Sequence, residues 1–197
     1  AFDPVMNTWS VWGQTAGGSD YEATSAIDVE GRKMYVLGSH IAEVIDLDAH
    51  TLKELGTWDG VTATGPAWVR PFLLSYNLPG AYGNGPGLQW HPGRKRLLVY
   101  AQIELSKVPP IDGTQQNIYQ IDPVTGTVET LVMTGGPVNM SRPSYHVFGR
   151  FRLIPGTDSV VLAGYVDRDL RIGQLPPTGS MPPPPPPLYV PDALVPP

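Results

Sequence analysis

The chain has 197 residues, enough for one domain with a real core or one domain plus a tail, and a formal net charge of −5. Its 13 Lys and Arg residues form no long basic run and are outnumbered by 18 Asp and Glu, which argues against nucleic acid and anionic membranes as partners. It contains no Cys, which excludes disulfides, thiolate nucleophiles, Cys-ligated zinc and iron–sulfur clusters.

Gly and Pro are abundant, with 22 and 23 copies, and fit many tight turns between short strands plus one low-complexity segment. No apolar run approaches the length of a membrane span, and no signal peptide is read. The chain opens on a turn, Asp3-Pro4-Val5-Met6-Asn7-Thr8-Trp9. Asp and Pro initiate it, Asn supplies a left-handed position, and Thr starts the outgoing strand. Because it opens within a repeat, the chain is expected to be a processed or excised piece of something longer.

Next comes a polar hairpin turn, 28–33, leading into the apolar strand Met34-Tyr35-Val36-Leu37-Gly38. The alternating segment Ala42-Glu43-Val44-Ile45 then runs into a second copy of the Asp turn, Asp46-Leu47-Asp48-Ala49-His50-Thr51-Leu52. The hairpin-and-strand pattern returns at His91-Pro92-Gly93-Arg94-Lys95-Arg96 into Leu97-Leu98-Val99-Tyr100-Ala101. Asn117-Ile118-Tyr119-Gln120-Ile121 leads into the third Asp turn, Asp122-Pro123-Val124-Thr125-Gly126-Thr127-Val128. A last hairpin, 154–159, feeds Val160-Val161-Leu162-Ala163-Gly164. Met34, Leu97 and Val160 thus stand 63 residues apart, twice over. Apolar runs of this kind predict strands buried on both faces, as inside a stack of sheets.

The order strand, turn, strand, strand, Asp turn, strand makes a four-stranded meander. The fold class expected for residues 1–175 is therefore all-β: β-propeller blades, about three four-stranded antiparallel meanders plus a partial one. A sandwich would also supply short strands, but not one turn motif recurring in phase. Three sheets cannot close a ring, so other polypeptide, self or another chain, is expected to complete it.

Residues 3–13, with Gly85-Pro86-Gly87-Leu88-Gln89-Trp90-His91-Pro92, resemble Kelch-type repeats of the galactose-oxidase central-domain superfamily of bacterial secreted proteins. Gly149-Arg150-Phe151-Arg152-Leu153-Ile154-Pro155 with Val160-Val161-Leu162 resembles the last blade of such proteins. The resemblance implies an extracellular or cell-surface location. It does not carry the oxidase activity, whose cross-linked Cys–Tyr site needs the Cys that this chain lacks.

After Leu175 the composition changes: residues 176–197 hold 11 prolines, including the run Pro182 to Pro187. That run predicts a stiff polyproline II arm, either a spacer or a docking arm seated through Leu188, Tyr189, Val190, Leu194 and Val195.

Chemistry-bearing candidates are few. His40, His50, His91 and His146 lack metal-ligand spacing, and no metal or other cofactor is expected. His50 and His91 fall in turns, where a solvated polar residue is expected. Arg142, Tyr145, His146 and Arg150 lie in the densest polar and aromatic stretch and are the candidate ligand-binding set. Asn139-Met140-Ser141 is an N-glycosylation sequon. Trp9, Trp12, Trp58, Trp68 and Trp90 suit either sugar stacking or core packing. Asp3, Asp46 and Asp122 recur because the turn recurs, so their role is structural. No catalytic residue is assigned. The reading is a non-catalytic structural or protein-interaction module of an extracellular or surface assembly, carbohydrate being a further candidate partner. The alternatives are a portion of a carbohydrate-active or oxidoreductase propeller enzyme, or a sugar-binding lectin.

Overall fold

The structure, a computed structural model, describes residues 2–3, 5–9, 23–70, 72–73, 87–101, 117–131, 151–163 and 170–177. Among them the chain is all-β. A short hairpin, β1 (Phe2–Asp3) with β2 (Thr8–Trp9), precedes three antiparallel meanders. The first sheet is β3 (Thr24–Asp28), β4 (Lys33–Leu37), β5 (Ile41–Asp46) and β6 (Thr51–Thr57), paired in chain order. The second is β7 (Gly87–His91), β8 (Arg96–Ala101), β9 (Asn117–Ile121) and β10 (Val128–Leu131), paired the same way. The third sheet has three strands, β11 (Phe151–Leu153), β12 (Ser159–Ala163) and β13 (Leu170–Gln174). A fourth strand was expected there. Instead, Gln174 stands at the register position that Asp46 and Asp122 hold in the other sheets, and the chain leaves through Leu175, whose N–H bonds the Asp158 carbonyl at 2.8 Å.

The Asp turns are built as their residues dictate. Asp122 Oδ1 accepts the N–H groups of Val124 and Thr125 at 2.9 and 3.2 Å, and Asp46 Oδ1 those of Asp48 and Ala49 at 3.0 and 2.8 Å. Four residues after the Asp, the backbone is left-handed in all three copies: Asn7 (φ 50°), His50 (φ 54°) and Gly126 (φ 77°). His50 is thus the left-handed residue itself rather than a bystander in its turn. Burial works to raise the Asp122 carboxyl, but the hydrogen bonds from Val124 and Thr125 and the Arg96 charge outweigh it and hold the group below its ordinary range. Asp122→Ala should remove about 1 kcal/mol of stability in urea unfolding. A variant with an unchanged midpoint would show that this turn holds without its side chain.

Strand burial separates the middle sheet from its neighbours. In β8, Leu97 and Val99 pack toward the first sheet, while Leu98 and Tyr100 pack toward the third, and all four are fully buried. The equivalent strands β4 and β12 were expected to be buried on both faces, but each is buried on one. Tyr35 and Leu37 face the second sheet from one side, and Val160 and Leu162 face it from the other. The reason is position: only the middle sheet has a described sheet on each side. The first strands lie together, β3 against β7 and β7 against β11.

Beyond β6 the chain doubles back through the Asp59 turn, and Trp58 bridges Ala63. The return is tight enough that a Cβ on Gly56 would strike the Thr64 carbonyl oxygen. A helical turn follows, in which the Phe72 and Leu73 N–H groups bond the Val69 carbonyl at 3.0 and 3.2 Å. It drives Trp68, Val69, Phe72 and Leu73 into the core between the first two sheets.

Candidate functional site

The densest polar constellation among the described residues lies where the tight turns of the second and third sheets meet. Its centre is Arg94, in the β7–β8 turn, whose side chain is only 3% exposed. Its Nε donates to Asp158 Oδ1 at 3.2 Å, its Nη1 to Gln120 Oε1 at 3.2 Å, and its Nη2 to the Pro176 carbonyl at 2.5 Å. Gln120, on β9, passes the chain on by donating from Nε2 to Glu129 Oε2 at 2.9 Å. Asp158, in the β11–β12 turn, therefore faces a buried guanidinium across the sheet boundary.

His91 closes the constellation. Its Nδ1 accepts the Arg94 N–H at 3.3 Å, as Asp28 Oδ1 accepts the Gly31 N–H at 2.9 Å in the first sheet. A ring nitrogen thus replaces a carboxylate as the turn cap, and an accepting Nδ1 places the proton of the neutral ring on Nε2. His91 Nε2 lies 2.7 Å from Asp158 Oδ1, a close polar contact across the sheet boundary. The expectation of a solvated His91 is corrected here: the ring is buried because the neighbouring sheet supplies its partner.

The Arg94 hydrogen bond is the main influence that holds the Asp158 carboxyl below the ordinary range. Partial burial opposes it, and the Arg94 charge and His91 reinforce it. Chemically, the cluster is a clamp. The guanidinium, the Gln120 amide and the histidine are spent on protein partners, and Asp158 retains the cluster's main contact with water.

At the boundary of the first and second sheets the contacts are aromatic. Tyr35 stacks on Trp90 with ring centroids 6.0 Å apart, and Gly126 brings its turn against Trp68. Burial, and then the carboxylates of Asp28 and Asp122, raise the Tyr35 phenol, which places the turns of both sheets at one end of the stack. Around them, Arg96 pairs with Asp122 at 3.1 Å and Arg32 with Asp48 at 3.0 Å. Trp58, Trp68 and Trp90 all join this core, the packing alternative rather than the sugar-stacking one.

One buried polar group stands apart. The Tyr100 ring stacks on Phe151 at 5.9 Å between the second and third sheets, and its hydroxyl has no hydrogen-bond partner among the described residues. Burial lifts its ionisation far above the ordinary tyrosine range. A raised phenol favours the neutral folded form, so its effect on stability is absent near neutrality and turns destabilising as pH rises past about 10. Tyr100→Phe should therefore be neutral or stabilising by about 1 kcal/mol at neutral pH and should flatten the alkaline decline. Urea midpoints of both proteins across the alkaline range test this, and a marked loss at neutral pH would indicate a hydroxyl partner.

The residues singled out in the sequence are divided by the structure. Arg142, Tyr145, His146 and Arg150 lie outside the described residues, as do Asn139 and the arm residues Leu188, Tyr189, Val190, Leu194 and Val195. Among the described residues, no three His, Cys, Asp or Glu side chains are grouped to hold a metal ion, and no helix is long and apolar enough to cross a membrane. Sequence reasoning passed over Arg94 and Asp158 although both sit in its recurring hairpins. Their opposite charges in equivalent turns were the available signal. No family model and no curated protein matches this chain.

Proposed function

We propose that this chain is a non-catalytic β-propeller segment, a structural or protein-interaction module of an extracellular or surface assembly. The observation that carries the reading is the contact of β3 with β7 and of β7 with β11. Successive meanders meet through their first strands, as blades do around an axis, while the helical turn at Trp68 fills the space between the first two sheets. The tight turns of neighbouring sheets meet, Asp158 of the third against Arg94 of the second, and Asp28 of the first and Asp122 of the second both near Tyr35. The longer connections, including the stretch that holds Arg142, Tyr145, His146 and Arg150, join strand ends away from those turns.

The non-catalytic part of the reading rests on how the described ionisable groups are used. Asp46, Asp59 and Asp122 cap turns, and Arg94, His91 and Asp158 tie two sheets together. The extracellular part rests on the Kelch-like resemblance of the sequence. Electron microscopy of the purified protein is the test, with radially arranged sheets around a common axis expected. A two-layer sandwich would overturn the propeller. Glycan-array binding would move the reading to a lectin, and sugar turnover would move it to an enzyme.

A further inference from the structure

The two boundaries between sheets are built from the same two kinds of face. Toward the first sheet, the second presents the cross-strand row Trp90, Leu97, Ile121 and Val128. Toward the third, it presents the other side of its pleat, with Leu98 and Tyr100. Each boundary therefore joins unlike faces. The first sheet meets the second through the face of Tyr35 and Leu37, which matches that of Leu98 and Tyr100. The third sheet meets it through Val160 and Leu162, which match Leu97 and Val99.

This polarity leaves one face of each kind at the two ends. The end face of the first sheet carries Ile27, Met34, Ile45 and Leu52, directly opposed across all four strands. That row is the counterpart of the Trp90 row, in which Leu97 and Ile121 are fully buried, Trp90 packs against the core and Val128 at the edge is 37% exposed. Here no member is fully buried, Ile27 being 49% exposed and Met34, Ile45 and Leu52 half-buried. Glu43, on the same side of β5, is already fully covered, so the open part is the row nearer the turns. The end face of the third sheet carries Val161 between Ile172 and the exposed Arg152, and Ala163 opposite Leu170, with Ile172 70% and Leu170 68% exposed, so the apolar part lies on β12 and β13. Its counterparts in the second sheet, Leu98 and Tyr100, are core.

We infer that the third sheet of one chain docks on the first sheet of a second copy, through the Val161–Ile172 face against the Ile27–Met34–Ile45–Leu52 row. The occupant is a second copy because the molecule exposes both halves of the boundary it twice forms internally. Two exposed halves of one unlike-faced interface pair head to tail. Apolar surface of this kind on paired strands is also rare on a monomer without a partner. The inference rests on the propeller reading for the closure of a ring, but the docking itself requires only the stacking polarity.

The experiment is analytical ultracentrifugation of the full 197-residue chain and of Ile172→Asp and Ile27→Asp, with circular dichroism confirming retained β-structure. Both positions are substantially exposed, so neither change should prevent folding. The wild-type chain should self-associate, and each variant alone should dissociate at least about tenfold more readily. Mixing the two variants should restore one intact boundary and recover a heterodimer. A folded wild-type monomer at every concentration tested would overturn the docking while leaving the propeller reading untouched. Loss of association in only one variant would indicate like-face pairing and would also overturn it. Head-to-tail strings without closure would uphold the docking and reject the ring.

Discussion

Replacing Trp68 with Ala should cost about 3–5 kcal/mol, the range for deleting a large buried aromatic side chain. Trp68 is 2% exposed and sits with Val69, Phe72 and Leu73 on a single helical turn that has too few backbone hydrogen bonds to stand alone. Packing therefore holds the turn in place. The space around it is framed by Tyr35 and Leu37 of the first sheet and by Leu97 and Val99 of the second, on strands whose own ladders prevent collapse into a cavity. The cavity should persist, and the boundary between the first two sheets should loosen as a unit. Hydrogen exchange should report faster opening in β4 and β8 than in β12. A loss below about 1 kcal/mol would show that the wedge is dispensable.

Removing Asp158 should be more damaging than removing the arginine it pairs with. Arg94 is buried and its guanidinium cannot shed its proton, so Asp158→Ala leaves an uncompensated charge between two sheets. Breaking such a pair costs about 3–5 kcal/mol when both partners are buried. The Asp158 side chain is 37% exposed, and water reaching the site brings the expected loss to about 3 kcal/mol. Arg94→Met takes the charge away with the side chain. Asp158 can then hydrate, and the acceptors of Gln120 and Pro176 lose one bond each, for about 1–2 kcal/mol.

The pair also carries a pH signature. The Asp158 carboxyl lies below its unfolded value when folded, so its contribution is present above about pH 4 and is lost as pH falls through the folded value. Urea midpoints should therefore fall more steeply with acid in the wild-type protein than in Asp158→Ala. Parallel acid profiles, or a larger loss from Arg94→Met, would remove the clamp from the account.

The turns were legible in the sequence because their causes are local. An Asp whose side chain caps the N–H groups two and three residues on, followed by Asn, His or Gly in a left-handed position, needs no distant partner, and Asp46 and Asp122 behave accordingly. The recurrence of apolar strands 63 residues apart likewise located β4, β8 and β12, since strand pairing follows from the pattern and its turns. What chain-local pattern could not decide is which faces are covered. Val161 and Leu98 occupy equivalent positions with equally apolar side chains, yet one lies on an end face and the other in a core. His91 and His50 both fall in turns, but only His91 meets a neighbouring sheet, and it is buried against Asp158 for that reason. The Arg94 clamp joins residues 64 positions apart, and its burial follows from the stacking of the sheets. Sequence by itself determined strands, turns and their order, because those depend on near neighbours and side-chain alternation. Tertiary structure alone decided core against surface and cap against clamp, because burial and charge pairing depend on what the next sheet brings into contact.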